Sequence, residues 1–373
     1  MATHVLITGG AGFIGSHLAD DLLARGYRVR VLDNLSPQVH GADAHPPGYL
    51  NDDVELQIGD VRDPQAVRTA LDGVDAVFHL AALVGVGQSM YQVADYLDVN
   101  TRGTGVLLEA LIERPIERLV VASSMSIYGE GQYLDPQGDP VPGAERQLDQ
   151  LRVGQWELSA PDGSGSLRPI PTPEEKPPAL SSVYALSKYD QERLCLMVGQ
   201  AYGIPTAALR LFNVFGTRQA LSNPYTGVLA IFASRLQNGN PPLIFEDGRQ
   251  QRDFVHVSDV VQALRLALES AQAPGRVFNV GSGQHYTVAE VAERLARVLG
   301  REDVVPEITG EFRTGDIRHC FADIARARDL LGYSPRKSFD EGLAELAQWV
   351  EGEVAVDRVA QARAELKARG LAL

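Results

Sequence analysis

Apolar runs punctuate the first half of the chain at regular intervals: HVLIT (4–8), RVRVLD (28–33), VELQIGD (54–60), DAVFHLAA (75–82) and ERLVVASS (117–124). Each is short, strand-sized and largely without a polar face. Between them lie segments whose apolar positions recur at helical spacing: FIGSHLADDLLARG (13–26), PQAVRTALDG (64–73) and a long stretch from about Ser89 to Ile112. Strands of this kind alternating with helices imply an α/β fold with a parallel sheet covered on both faces. The right-handed crossover rule makes that sheet doubly wound.

The pattern breaks at 131–180, which holds nine of the 21 prolines and six glycines. A stretch so rich in breakers carries no long helix, and a loop of this length inside a compact domain is usually a lid or disordered. Leu148, Leu151, Val153, Trp156 and Leu158 offer apolar groups for docking, which favours a lid. A helix follows in SSVYALSKYDQERLCLMVGQAYG (181–203), then a strand in TAALRLFNVFG (206–216). Beyond Asn223 the elements shorten into a smaller C-terminal α/β substrate domain that forms one wall of a cleft. The expected division is 1–215, with 131–180 as an insertion, and 216–373, with some chain crossing back to the first domain. From about Phe339 the chain reads as amphipathic helix, with an Ala/Arg/Glu-rich end expected to be solvated and fraying.

Composition narrows the function. A net charge of -14 argues against a nucleic-acid or anionic membrane surface, although local arginines can still hold an anionic small molecule. The two cysteines, Cys195 and Cys320, have no metal-ligand spacing and read as buried thiols of a reducing compartment. No metal site is expected. The first strand begins within a few residues of Met1, leaving no room for a signal peptide, so a cytoplasmic location is expected.

Candidate chemistry begins at TGGAGFIG (8–15). Gly9 permits the tight turn, Gly12 lets a pyrophosphate reach the backbone, and Gly15 allows close packing of the helix that opens at Phe13 and Ile14. The helix N-terminus then faces the phosphates. Asp33 closes the next strand, where a carboxylate accepts both ribose hydroxyls and repels a 2′-phosphate, selecting NAD over NADP. Asn34 stands beside it, and Asp60 and Val61 after the third strand are placed to flank the adenine. Together these make a Rossmann-type dinucleotide site.

Tyr184 and Lys188 in YALSK stand one helical turn apart, on one face. A tyrosine with an ordinary pKa of about 10 is a poor base near neutrality, and the Lys188 ammonium with an oxidised nicotinamide is expected to lower it. The strand end SSMSIYG (123–129) brings hydroxyls to the crevice where open α/β sheets bind ligands.

With these motifs on the page, the chain resembles the extended short-chain dehydrogenases/reductases of the nucleotide-sugar epimerase/dehydratase family. TGGAGFIG, the DV pair at 60–61, HLAA at 79–82, Asn100, SSMSIYG, YALSK, RLFNVFG, RDFVHVSD and RTGD at 313–316 occur in the family's order. The resemblance implies that Leu80, Ala81, Ala82 and Asn100 also line the NAD site. It makes Tyr184 the proton acceptor from a sugar hydroxyl, Lys188 a holder of the nicotinamide ribose, and Ser124 the hydrogen-bonding partner of the reacting oxygen. Family dehydratases carry an Asp-Glu pair directly after that serine, and 3,5-epimerases a cysteine at the second place. Met125 and Ser126 stand there, which points to 4-epimerisation by reversible hydride transfer. An NAD-dependent dehydrogenase or reductase, and a non-catalytic NAD-sensing protein, are the competing readings; the latter class tends to lose the Tyr/Lys pair kept here.

By the same resemblance Ser126, Asn213, Arg252, Arg313 and Asp316 contact a nucleotide-diphosphate sugar, dTDP- or UDP-linked, the guanidinium groups binding phosphate oxygens bidentately. SSMSIYGEG, the long insertion with its GQWE, and SSVYALSKYDQERLCLM resemble the branch that epimerises dTDP-L-rhamnose; UDP-glucose or UDP-glucuronate is the alternative. Family members commonly dimerise through the two helices at about 89–112 and 183–202, so a homodimer is expected. Leu107, Leu108, Leu111, Leu194 and Met197 could serve core or interface.

Overall fold

In the computed structural model, residues 3–41, 45–313, 315–353 and 355–372 are described. Seven parallel strands form the main sheet: β1 (His4–Thr8), β2 (Arg28–Asp33), β3 (Glu55–Ile58), β4 (Ala76–His79), β5 (Arg118–Ser124), β6 (Thr206–Leu211) and β7 (Arg276–Val280), in the order β7-β6-β5-β4-β1-β2-β3. The order reverses between β1 and β4, which opens a crevice at their carboxyl ends. Along β1, Val5 and Ile7 enter one core with Leu18, Leu22, Phe78, Val120 and Leu264, while Leu6 enters the other with Val77, Leu107, Leu111 and Val121. Burial on both faces is why the central strands β1, β4 and β5 carry no polar alternation. Arg28 and Arg30 on β2, and Glu55 on the edge strand β3, reach toward solvent.

β7 comes from the second half of the chain and pairs with β6, and the preceding helix Val257–Glu269 packs on helix Phe13–Ala24. The second lobe has its own core around Phe215, Phe232, Leu236, Leu295, Phe339 and Leu346. Among the described residues no helix is long and apolar enough to cross a membrane.

Three expectations are corrected. The long helix does not run from Ser89: a short turn, Val86–Ser89, is followed by Val93–Tyr96, a π-helical stretch Leu97–Arg102 and then Gly103–Glu113. The π-helical stretch carries Asn100, whose side chain holds Leu83 and Ser187, and such insertions recur at functional sites.

The insertion is not an apolar lid. Strands Gln132–Leu134, Pro140–Pro142 and Arg168–Ile170 form a small antiparallel sheet over Tyr133, Leu158 and Leu167. Val153 is left exposed and Leu148 half-buried, and no residue of the insertion lines the main cavity. Leu151 and Leu158 are buried and Trp156 packs on Phe312, but ion pairs dock it as well: Arg146 on Glu246 at 2.8 Å, buried, and Glu157 on Arg318 at 2.5 Å.

Nor does the C-terminal end hang free. Helix Val359–Ala368 lies over the cleft, with Val359, Ala362, Arg363 and Leu366 on the cavity wall. Arg363 and Lys367 both reach Glu311 at 2.6 Å, and Glu365 accepts from Tyr91 and Tyr225. The Ala/Arg/Glu pattern was a set of ion-pair partners; its few apolar side chains face the cavity.

Candidate active site

The dinucleotide cradle fits its expected ligand. Gly9 sits at φ +71°, and a Cβ there would lie 2.9 Å from the Ala81 backbone. A Cβ on Gly15 would lie 2.5 Å from Gly10 and from the Gly9 carbonyl. Gly12 meets nothing nearer than the Gly9 carbonyl at 3.4 Å, so the space before it is open, as close approach of a phosphate requires. Helix Phe13–Ala24 has no side-chain cap, leaving its first N–H groups for an anion. The Asp33 carboxylate is fixed by the N–H groups of Ala11 at 3.0 Å and Leu35 at 2.9 Å. Asn34 donates to Asp60, which Arg62 also holds and keeps strongly acidic.

Two of the proposed cofactor residues do other work. The Val61 side chain packs into the core beneath Gly103, leaving only its backbone to face a nucleotide. Asn100 is fully buried and both its amide hydrogens are spent, on the Leu83 carbonyl at 3.0 Å and the Ser187 hydroxyl at 2.9 Å. It clamps the chain after β4 to the Tyr184 helix, Val183–Tyr202, and is a positioning residue. Leu80, Ala81 and Ala82 do lie half-buried at the β4 end of the crevice.

At the end of β5 the hydroxyls divide. Ser123 turns back and donates to Glu192 at 2.6 Å, inside a buried network in which Arg210 grips Glu192 with two nitrogens and donates to Tyr128. Ser126 instead donates to Ser124 at 2.9 Å through its hydroxyl, and its N–H reaches the same oxygen at 3.2 Å. Ser124 and Tyr184 line the same cavity, with the Ser124 hydroxyl close enough to lower the pKa of the phenol. Backbone support comes from Ser89, whose hydroxyl accepts from the Tyr184 N–H at 3.0 Å.

The expected lowering of the Tyr184 pKa by Lys188 is not what the protein alone shows. Burial pushes the phenol up, and the Ser124 hydroxyl opposes it. Lys188 is itself brought down to about 8 by burial, and its ammonium donates to Gln191 at 2.5 Å. Gln191 is fixed by Thr104 and the Ala81 carbonyl, beside His79. Burial brings His79 down to about 3, so it is neutral at working pH. Gln191 did not stand out in the sequence, and His79 appeared only as the first residue of HLAA, with no role of its own; the signal for each was a polar residue inside an otherwise apolar strand or helix face.

A cavity of about 500 Å³ runs from Ser124 and Tyr184 into the second lobe, a size suited to a small-molecule ligand. Phe13, Ser126, Asn213, Arg252, Arg313 and Asp316 all line it, so the structure gathers every proposed substrate residue on one wall or the other. Arg252 is anchored on the carbonyls of Gln251, Ile317 and Arg318. Arg313 pairs with Asp316 at 2.9 Å and lies over the Phe245 ring. Asn213, Gln219 and Gln250 each present a buried amide oxygen without a partner among the described residues. Unpaired buried acceptors are costly unless a ligand satisfies them. Gln219, Gln250, Arg235 and Arg363 went unread in the sequence because they come from four separate elements that only the fold assembles.

A dinucleotide cradle opening onto a Ser/Tyr/Lys constellation and an arginine-lined cavity defines an enzyme that pairs hydride transfer with proton transfer on an anionic small molecule. The profile of the NAD dependent epimerase/dehydratase family matches residues 5–147 and 161–281, and the chain belongs to that family, whose cofactor is NAD. It is 34% identical over 358 residues to dTDP-L-rhamnose 4-epimerase of Burkholderia thailandensis, covering 94% of this chain and 95% of that one. With a putative UDP-glucose 4-epimerase of Methanocaldococcus jannaschii the identity is 31%, over 93% and 98% of the two chains. Among solved structures, UDP-glucose 4-epimerase of Thermotoga maritima with UDP-glucose superposes with a TM-score of 0.76 at 30% identity, over 94% and 99% of the chains. The Thermus thermophilus UDP-glucose 4-epimerase complex with NAD gives 0.72 at 32%, over 94% and 100%. The protein is thus an NAD-dependent enzyme of the nucleotide-sugar epimerase class.

Proposed function

We propose that the protein is a nucleotide-sugar 4-epimerase that interconverts dTDP-L-rhamnose and dTDP-6-deoxy-L-talose. The observation that carries the reading is the poverty of acid–base groups around Ser124. Among the described residues that line the cavity, Asp316 alone is a carboxylate, and it is paired with Arg313. Elimination of water, or proton transfer beside a ketone, would need a free acid or base there; hydride transfer needs only a hydroxyl's proton to move.

In this reading bound NAD supplies the hydride acceptor and, once reduced, the donor for the return. Tyr184 takes the proton of the sugar's 4-hydroxyl as the C4 hydrogen leaves as hydride, and gives it back to the ketone oxygen when the hydride returns to the opposite face. Ser124 hydrogen-bonds that oxygen throughout, with Ser126 fixing the direction of its lone pairs. Lys188 and the cationic nicotinamide offset the burial that raises the phenol. Arg252 and Arg313 hold the diphosphate, so that the sugar can turn over at its tether while the nucleotide stays bound. Asn213, Gln219 and Gln250 accept from hydroxyls of the ligand.

The sugar assignment rests on the similarity to the Burkholderia enzyme and on an apolar wall of Val84, Val86 and Leu366, which suits a 6-methyl group. The UDP-hexose relatives keep UDP-glucose as the second reading. The chain is expected to pair with a second copy through its catalytic helix, where Leu186, Met197 and Tyr202 are exposed, whereas Leu107, Leu108 and Leu111 are core. Proton NMR of the purified protein with dTDP-L-rhamnose and no added cofactor tests the reading: a second sugar with altered H4 couplings supports it. Conversion of UDP-hexoses alone would keep the mechanism and replace the substrate, and turnover only with added NAD would replace epimerase by dehydrogenase.

A further inference from the structure

The arm that follows Phe312 carries Arg313 and Asp316, and its carbonyls at Ile317 and Arg318 anchor Arg252. Its described residues hold an isolated bridge at Arg313 and a two-residue strand at His319–Cys320. Two side chains of the insertion grip it. Arg146, with its side chain only 2% exposed, donates to the Asp316 carbonyl at 2.9 Å, to Glu246 at 2.8 Å and to the Trp156 carbonyl at 3.2 Å. Glu157 accepts from Arg318 at 2.5 and 3.1 Å and meets His319 at 3.0 Å. Trp156 packs on Phe312, ring centroids 6.1 Å apart.

On the other side, Glu130, one residue beyond the SSMSIYG turn, accepts from the N–H groups of Arg318 and His319 at 2.7 and 3.1 Å. The same carboxylate faces Arg146 at 3.5 Å. The catalytic turn, the insertion and the arm therefore meet at one buried cluster. Glu157 and Trp156 fall in 148–160, between the two stretches that the family profile matches, and Arg146 falls just inside the first.

We infer that the insertion is a brace for the diphosphate site, with Arg146 and Glu157 as positioning residues that set Arg252 and Arg313 through the arm between Phe312 and His319. The inference rests on the reading that these two arginines hold the diphosphate. Bidentate guanidinium contacts demand placement to a fraction of an ångström, and a 1 Å displacement from a remote change can cost on the order of 100-fold.

The test is calorimetric binding of dTDP and UDP to the NAD-loaded protein, for the parent, E157Q and R146K, with NAD content and melting temperature recorded alongside. Glu157 is half exposed, so E157Q decides the matter even where R146K fails to fold. The expected result is a rise in Kd on the order of ten-fold in E157Q, with at least as large a rise in R146K, at parental NAD content. A purely structural role would lower the melting temperature and leave Kd where it was, which overturns the brace. If the parent itself binds neither nucleotide, the diphosphate reading falls and the brace with it.

Discussion

The hydroxyl of Ser126 points at the hydroxyl of Ser124, 2.9 Å away, and not at the cavity's arginines. With the Ser126 N–H on the same oxygen, two donors converge on Ser124, whose own proton is thereby directed elsewhere. That oxygen shares the cavity with the Tyr184 phenol, whose pKa it lowers against the effect of burial. S126A is expected to lower kcat on the order of ten-fold and S124A on the order of 100-fold, since S124A removes the donor that meets the reacting oxygen. Steady-state rates with NAD content held constant check the order; equal losses would put Ser126 in direct contact with substrate.

Y184F keeps the ring that stands edge-on to Tyr96 and removes only the proton acceptor. Turnover should fall by roughly 10²- to 10⁴-fold with little change in melting temperature. Retention of more than a tenth of the parental kcat would mean that another group moves the proton.

Stability should carry the mark of His79. Its folded pKa is depressed to about 3 by burial, from an ordinary 6.5, so the unfolded chain binds a proton between those values and the folded chain does not. The stabilisation is complete above about pH 6.5 and is lost as pH falls toward 3, at up to about 1.4 kcal/mol per pH unit. Urea midpoints at pH 7.5 and 5.5 should converge for H79Q relative to the parent. An identical pH dependence in both proteins would show that His79 is protonated in the fold. Asp253, raised to about 6 by burial, acts with opposite sign over part of this range, which is why the comparison is between variants.

Most of the sheet, the dinucleotide cradle and the helix that carries Tyr184 and Lys188 could be read from sequence because each is a local signal: an apolar run, a glycine spacing, a helical i, i+4 pair. The residues that could not be read are those defined by partners far along the chain. Asn100 looked like a cofactor ligand until its amide was found between Leu83 and Ser187. The insertion looked like an apolar lid because Trp156 and its neighbours were visible, whereas the pairing of Glu157 with Arg318 spans 161 residues. The tail looked solvated because its charges were counted without Glu311, which pairs with two of them.

The last helix gives the most direct check on the substrate. Leu366 lines the cavity and packs over Gly87, where a Cβ would come within 3.3 Å of its Cδ2. With Val84 and Val86 it gives the cavity an apolar wall, where the proposed reading places the sugar's 6-methyl group. A methyl against such a wall is favoured over a hydroxyl by roughly 1–3 kcal/mol, or about 10- to 100-fold in kcat/KM. L366N should erode that preference, lowering kcat/KM for dTDP-L-rhamnose while that for UDP-glucose holds or rises. Deletion of 357–373 should go further, because it removes the wall and the Glu311 ion pairs together and opens the cavity to water. The oxidised sugar would then escape before the hydride returns, leaving that site's cofactor reduced, and the absorbance of reduced nicotinamide would rise toward at most one equivalent per site. If the truncated protein stays oxidised and turns over at the parental rate, the helix covers the cavity without enclosing the reaction, and the preference for a 6-deoxy sugar must come from elsewhere on the wall.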